Sequence, residues 1–433
     1  MRIIRAAREM GIETVAVHST VDKPSAHVRL ADRAICIGPP PSTDSYLNTA
    51  AIIAAAEVAN VDAIHPGYGF LAENTHFAEV CRQCNIEFIG PSVQSMRLLG
   101  DKVQCKQLAK KNKVPTSPGS KGKIDSEDEA IKIARRITYP VIIKAAAGGG
   151  GRGMRVAHND MSLRSAMHSA MAEAKAAFNN STVYIEKYIE HARHVEVQIL
   201  GDQHGHLVHL FERDCTMQRR HQKLIEEAPC PVLESEKRAE LCKAAVRLAK
   251  AAGYFSAGTV EFLMDKDQKF YLMEVNTRVQ VEHPVTEMLT GVDIVKQQIR
   301  VAAGEKLDLT QRGIKCRGHA IEVRINAEDP ARGFAPSPGR MDLFEPPGGP
   351  GVRIDTHCHS GYVVPPNYDS LIAKLIVHRP TRQEAINTIK RALHEFRIGP
   401  IKTTVPLHDR LMRNGNFVNG NVDIHFVERL LEK

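Results

Sequence analysis

Glu274-Val275-Asn276-Thr277-Arg278-Val279-Gln280-Val281-Glu282 alternates small or apolar residues with Glu, Asn, Arg, Gln and Glu. An extended backbone turns successive side chains to opposite faces, so a strand here carries five polar groups on one face. Upstream, residues 259–264 read as a second strand, residues 265–269 as a polar turn, and residues 270–273 as the lead into the quoted stretch. Folded as a hairpin, the two strands set Glu261 opposite Glu274. Two facing carboxylates repel unless a cation lies between them or one is protonated. With Asn276 they offer the hard oxygen ligands that Mg²⁺ prefers. Farther along the face, Arg278 and Gln280 suit a small anion, with Glu282 beside it as a base. The alternative is a solvated amphipathic strand, for which paired acids beside Asn and Arg are an odd choice.

The 433 residues suffice for two or three domains with their own cores. Hydrophobic residues make up 43% and charged ones 25%, an ordinary globular balance. The net charge of +8 is spread along the chain and suits anionic ligands as well as nucleic acid, so it decides little. Aromatics at 5% without a single Trp speak against a base-stacking surface. No apolar run reaches membrane-spanning length, and the Arg residues near the start break any signal-peptide pattern. Of nine cysteines, Cys81 and Cys84 form an isolated C-x-x-C and Cys358 lies between His357 and His359. Both read as structural thiols, and the odd count favours a reducing compartment.

Residues 1–10 have helical spacing that Gly11 can cap. Strands at 14–18, 33–37, 63–65 and 88–89 alternate with helices at 45–60 and 73–84, an open α/β domain around a parallel sheet. A second region from about residue 117 has a strand at 140–144, a glycine loop at 145–153, a returning strand at 154–156, a helix at 162–178 and a strand at 182–186. Helices follow near 236–252 and 291–303. Pro336, Pro338 and residues 346–350 punctuate a late β-rich section before a final helix at 382–395.

Gly148-Gly149-Gly150-Gly151-Arg152-Gly153 stands between two strands rather than opening a helix, which argues against a dinucleotide fingerprint. A glycine loop can instead fold its N–H groups over phosphates, with Lys144 adding charge; a structural hairpin loop is the alternative. Residues 218–223 (Gln-Arg-Arg-His-Gln-Lys) concentrate donors for phosphate or bicarbonate, or form a solvated basic patch. Lys102 alone is an ordinary surface lysine. His65-Pro66-Gly67-Tyr68-Gly69-Phe70 ends a strand where open α/β sheets bind ligands.

Taken in order, these motifs, with Glu186-Lys187-Tyr188, His194-Val195-Glu196 and Arg324-Ile325-Asn326-Ala327-Glu328-Asp329, resemble the biotin carboxylases of the ATP-grasp superfamily nearly end to end. The resemblance implies an N-terminal α/β domain over 1–101, an ATP-grasp domain over 102–303 with a mobile lid at about 117–188, and a β-rich C-terminal domain over 317–425. It implies an ATP-dependent C–N ligase that uses bicarbonate to carboxylate biotin through carboxyphosphate. By family position, Lys102, Lys144, Gly150, Gly151, Glu186, Lys187, Tyr188, Ile189, His194, Gln218 and His221 would bind ATP, with Leu263 and Ile424 near adenine. Glu261, Glu274 and Asn276 would hold two Mg²⁺ or Mn²⁺ ions. Lys223, Arg278, Gln280 and the Val281 backbone would hold bicarbonate and Glu282 would deprotonate it. Arg278 and Arg324 would stabilise the biotin enolate, and Tyr68 would be a substrate-binding residue.

Implied partners are a biotin carboxyl carrier protein, carboxyltransferase subunits and a second copy of the chain, without nucleic acid or membrane. The absence of biotinyl or carboxyltransferase modules makes the chain look like the free-standing subunit of acetyl-CoA carboxylase. A cytoplasmic location is expected, or a plastid one if a leader precedes Met1. Family members begin with a further strand and a glycine turn upstream of the helix at 1–10. Its loss would expose sheet edges. Competing expectations are another ATP-grasp ligase, or a scaffold subunit impaired by that loss.

Overall fold

The computed structural model describes residues 1–120, 122–124, 126–145, 153–178 and 180–432. The glycine loop, with Gly150 and Gly151, lies outside the described residues. The chain opens with helix α1 (Arg2–Glu9), followed by strands β1 (Val15–Ser19) and β2 (Arg33–Gly38), which pair in parallel. Helix α2 (Thr49–Ala59) starts where the Asn48 side chain accepts from the Ala51 N–H. It leads to β3 (Ala63–Ile64), helix α3 (Thr75–Gln83), capped by Asn74, and β4 (Glu87–Phe88). β3 and β4 are parallel, as expected, but the four strands form two separate pairs rather than one sheet.

Two helices absent from the sequence reading follow, α4 (Val93–Gly100) and α5 (Lys102–Lys111). Ser92 caps the first, and Asp101 caps the second through the Val103 and Gln104 N–H groups. Helix α6 (Glu127–Ile137) opens the next unit. Strand β5 (Val141–Ala145) pairs antiparallel on one side with β6 (Met154–Ala157) and on the other with β7 (Val183–Lys187). Helix α7 (Asp160–Phe178) and α6 cover this small sheet, and Ile143, Leu163 and Ile185 fill the layer between.

The large sheet has eight strands. In chain order these are β8 (Arg193–Gly201), β9 (Leu207–Arg219), β10 (Gln222–Ala228), β11 (Ser256–Met264), β12 (Phe270–Asn276), β13 (His319–Asn326), β14 (Val352–Thr356) and β15 (Leu371–Arg379). Their spatial order is β12-β11-β8-β9-β10-β13-β15-β14, with every neighbour antiparallel. Helices α8 (Ser235–Ala251), α9 (His283–Thr290) and α10 (Ile294–Ala302) pack along it, and α11 (Arg382–Glu395) lies over β13 and β15. The sheet thus runs from the middle of the chain into its C-terminal part without a break.

The opening stretch corrects one expectation. Strand β12 ends at Asn276, and residues 277–281 are not strand. Glu282 is the N-cap residue of α9, with Pro284 in its first turn. The single helix expected at 291–303 is likewise two, because Gly291 ends α9 at φ +74° and Asp293 caps α10.

Candidate active site

The hairpin of β11 and β12 turns through residues 265–269. There the Asp265 Oδ1 accepts from the N–H groups of Asp267 and Lys269, each at 2.9 Å. Its register makes Glu261 the partner of Glu274 on one side and of Glu196 on the other. Three carboxylates therefore stand in a row across three strands, and unrelieved they would repel.

Lys223, on β10, relieves them. Its Nζ donates to Glu196 Oε2 at 2.6 Å, Glu282 Oε1 at 2.6 Å and Glu261 Oε1 at 3.1 Å. Burial pulls the Lys223 ammonium down, but the Cys215 thiol and these carboxylates push it well above the usual lysine range. Arg213, fully buried on β9, holds Glu196 from behind with its Nε at 2.6 Å and also donates to Gln198, Thr259 and Thr286. His194 Nε2 lies 3.1 Å from Glu261 Oε2.

Arg324, on β13, donates to Glu226 at 2.6 Å and to Glu282 Oε2 at 2.9 Å. Its own carbonyl is gripped by the Thr404 hydroxyl and by His408. Burial favours the neutral form of Glu282, but Lys223, Arg324 and Arg213 together hold it well below the usual carboxylate range. Its place at the start of α9 adds the favourable end of the helix dipole. Lys374 Nζ donates to the Val281 carbonyl at 2.7 Å, fixing the backbone just before Glu282.

Although the strand stops at Asn276, its polar groups still converge. Arg278 donates to Gln280 Oε1 at 2.6 Å and Asn276 Oδ1 at 3.2 Å, while Gln280 and Asn276 both donate to Glu261 Oε1, at 3.0 and 2.8 Å. Hydrogen bonds, rather than the strand pleat, assemble the face. A further Arg278 contact, Nε to Glu73 Oε2 at 2.9 Å, comes from the N-terminal part of the chain.

Of the three residues expected to hold a metal, Glu261 and Glu274 are register partners, while Asn276 donates to Glu261 Oε1 and accepts from Arg278. Burial raises the Glu274 carboxyl and the neighbouring Glu261 raises it further, the signature of a site short of positive charge. Glu274 borders a cavity of about 300 Å³ that Lys102, Lys106, Asn276 and Glu73 also line. Lys102 lies 3.9 Å from Glu274. Among the described residues, the groups of His, Cys and acidic side chains that could ligate a metal are His194 with Glu196 and Glu261, and Glu196 with Cys215 and Glu282. Neither Cys81–Cys84 nor the His357–Cys358–His359 run forms one, and all nine cysteines are free.

Opposite, the small sheet brings Lys144 to Glu186 Oε2 at 2.9 Å, while Lys106 pairs with the other Glu186 oxygen. Burial, with Lys102 nearby, pulls Lys144 down to about 8. Lys187 donates to the Tyr139 carbonyl, and the Tyr188 hydroxyl meets His425 at 2.8 Å, next to Ile424. Ile189, beyond the end of β7, follows Tyr188. Gln218 and Leu263 lie on β9 and β11, and His221 forms the turn from β9 to β10. Both turn residues, Arg220 and His221, have positive φ (47° and 66°), a costly conformation for side chains of this kind and one that clusters at functional sites. Tyr68 is 39% exposed on the loop after β3.

Glu73, Lys106, Glu196, Arg213, Glu226 and Lys374 went unassigned in the sequence. Glu196 alone carried a readable signal, since two-residue spacing puts it on the same face as His194.

A small three-stranded sheet bearing lysines, beside a larger sheet with facing carboxylates, is the pattern of an ATP-grasp fold. The chain belongs to the biotin carboxylase family. It matches the families described as "Biotin carboxylase, N-terminal domain" over residues 1–96, "Carbamoyl-phosphate synthase L chain, ATP binding domain" over 101–310 and "Biotin carboxylase C-terminal domain" over 322–429. It is 55% identical to a biotin carboxylase of Nostoc, covering 99% of this chain and 96% of that one. To a chloroplastic biotin carboxylase of Arabidopsis thaliana it is 52% identical, over 99% of this chain and 80% of the relative.

Among solved structures it resembles a biotin carboxylase from Campylobacter jejuni in a β,γ-ATP complex, with TM-score 0.96, 50% identity and coverage of 99% and 96%. It also resembles the biotin carboxylase domain dimer of Hydrogenobacter thermophilus 2-oxoglutarate carboxylase with MgADP, ADP and bicarbonate, with TM-score 0.94, 47% identity and coverage of 99% and 94%. The chain is accordingly an ATP-dependent ligase that carboxylates biotin. No helix among the described residues is long and apolar enough to cross a membrane.

Proposed function

We propose that this chain is the biotin carboxylase subunit of an acetyl-CoA carboxylase, carboxylating biotin on a carrier protein in the first half-reaction of malonyl-CoA synthesis. The observation that carries the reading is Glu282 held between Lys223 and Arg324, beside the Arg278–Gln280 pair. A base flanked by fixed cations is what an anionic one-carbon substrate requires. We further propose the division into residues 1–101, 102–303 and 317–425, with a lid over about 117–188.

ATP is held by Lys102, Lys144, Glu186, Lys187, Tyr188, Ile189, His194, Gln218 and His221, with Leu263 and Ile424 against the adenine; Gly150 and Gly151 are assigned with them by family position alone. Glu261, Glu274 and Asn276 would hold Mg²⁺ or Mn²⁺, which neutralises phosphate charge when bound. Lys223, Arg278, Gln280 and the Val281 backbone orient bicarbonate. Its oxygen attacks the γ-phosphorus, the bond to ADP breaks, and Glu282 takes the bicarbonate proton. Carboxyphosphate then yields CO₂ and phosphate, and the phosphate takes the biotin N1 proton. Arg278 and Arg324 stabilise the enolate oxygen while N1 bonds to CO₂, and Tyr68 lies against biotin. The nearby Lys374 occupies the Val281 carbonyl.

Partners in this reading are the carrier protein, carboxyltransferase subunits and a second copy of the chain, in the cytoplasm or a plastid. The test is ADP release by the purified chain with Mg²⁺, ATP and bicarbonate, with and without free biotin. Stimulation by biotin that disappears without bicarbonate is the expected result. ATP binding with no turnover under any of these conditions would favour a scaffold subunit.

A further inference from the structure

Arg278 is surrounded on every nitrogen: Nη1 donates to Gln280 and the Val279 carbonyl, Nη2 to Asn276, and Nε to Glu73. The first three partners lie within two residues of it in the chain. Glu73 stands 205 residues earlier in the chain, between the loop that carries Tyr68 and the start of α3. Its other oxygen accepts from the Thr277 N–H at 2.8 Å and from the Thr277 hydroxyl at 3.3 Å. One carboxylate thus grips both the backbone and the guanidinium of adjacent residues.

The loop behind Glu73 needs an anchor. Gly67, Gly69 and Phe70 have φ of +65°, +83° and +42°, and the last is costly for an aromatic residue. Phe70 stacks on Tyr46 with centroids 5.1 Å apart, and Asn74 caps α3. Glu73, lying between these two fixed points, fastens the loop to the segment that follows β12.

We propose that Glu73 is a positioning residue: it fixes the Arg278 guanidinium through Nε so that the second Nη2 hydrogen is held ready for the anion, and it sets the Tyr68 loop in register with that guanidinium. An arginine side chain has several staggered torsions, so unaided it samples several rotamers. A carboxylate on Nε, with the acceptors on Nη1 and Nη2, selects one and leaves a single Nη2 hydrogen for substrate. The Glu73 side chain is 40% exposed, so the pair contributes little to stability and its effect is geometric. This inference rests on the proposed role of Arg278, and the experiment separates the two.

The test is a double-mutant cycle of Glu73→Ala and Arg278→Ala, read by ADP release with bicarbonate and ATP varied separately. Glu73→Ala alone is expected to raise KM for bicarbonate about tenfold while KM for ATP and the melting temperature stay near wild type. In the Arg278→Ala background it is expected to add nothing beyond about twofold, because the group it acts through is gone. A Glu73→Ala enzyme within about twofold of wild type, or losses that multiply fully in the double variant, would overturn the proposal.

If Arg278→Ala leaves KM for bicarbonate unchanged, the bicarbonate role of Arg278 falls. The Glu73 proposal is then decided by the same cycle on whichever parameter Arg278→Ala moves. Should Glu73→Ala fail to fold, Glu73→Gln keeps an oxygen for the Thr277 N–H and removes only the charge beside Arg278. It is expected to show an intermediate rise in KM for bicarbonate, and wild-type kinetics would overturn the proposal.

Discussion

Replacing Glu282 by Gln isolates the base from its scaffolding. The side chain is 1% exposed, with one oxygen 2.6 Å from Lys223 and the other 2.9 Å from Arg324. The amide keeps the shape and loses the charge. Breaking a buried ion pair outright costs roughly 3–5 kcal/mol. Here neither cation is orphaned, because Lys223 keeps Glu196 and Glu261, and Arg324 keeps Glu226. The stability loss of Glu282→Gln should therefore be smaller, about 1–3 kcal/mol.

Catalysis should suffer far more. A positioned general base contributes about 10²–10⁴ in rate, or roughly 3–5 kcal/mol of barrier. Lys223 and Arg324 keep Glu282 a weak base. Bicarbonate draws a hydrogen bond from Lys223, so the carboxylate gains basicity only once substrate is in place. Glu282→Gln should accordingly lose kcat by about 10²–10⁴ while KM for ATP moves little, since the lysines around Glu186 are untouched. ADP release gives the rate, nucleotide titration the binding, and urea unfolding the stability. A variant within about tenfold of wild-type kcat, properly folded and saturated, would refute Glu282 as the base.

Glu274→Gln should raise the Mg²⁺ concentration needed for half-maximal ADP release several-fold, and EDTA should abolish ADP release in the wild type; an unchanged requirement would remove Glu274 from the metal site. Arg213→Met should cost about 3–5 kcal/mol in urea unfolding, because it strips the fully buried Glu196 of one of its two cations. Glu287 is raised by burial but brought down to about 2 by His283, Arg2 and Arg353. Its folded value lies below the unfolded one, so its contribution of about 3 kcal/mol is present above pH 4.5 and lost as pH falls toward 2. The stability deficit of Glu287→Gln should therefore shrink across that window, and a deficit independent of pH would show that the ion pairs are not its source.

Much of the site was legible because it lies on one hairpin. Alternation placed Glu274 and Asn276 together, and the Asp265 turn set Glu261 opposite Glu274. The reading went too far beyond Asn276, where the same alternation suggested more strand. There the Thr277 N–H goes to the Glu73 carboxylate instead of a neighbouring strand, and Pro284 opens a helix. No local pattern announces a partner 204 residues away. Helices α4 and α5 were missed for a different reason: Ser92 and Asp101 are ordinary N-cap residues, but the apolar spacing after each is short and weak. Buried Arg213 and Glu226 could not be told from wet-face charges, because a strand reveals which face a residue is on and not whether that face is covered.

The network of Lys223, Arg213 and Arg324 with Glu196, Glu226, Glu261 and Glu282 is a poor choice for stability. Apolar residues of similar volume usually hold a sheet as well, without the desolvation of seven charges. Four carboxylates also meet only three strong cations. The shortfall shows at Glu226, where burial and the nearby Glu282 outweigh Arg324 and push the carboxyl up to about 6. Such an arrangement makes sense where donors must stand in place before an anion arrives, since fixed dipoles and charges need no reorganisation as charge moves. Arg213 holds Glu196, Glu196 holds Lys223, and Lys223 holds Glu282, so the strand register of β8 to β11 fixes the base through a chain of ion pairs. A cluster selected for folding alone would close its charge balance; one that must accept a cation and take up a proton works only while that balance is left open.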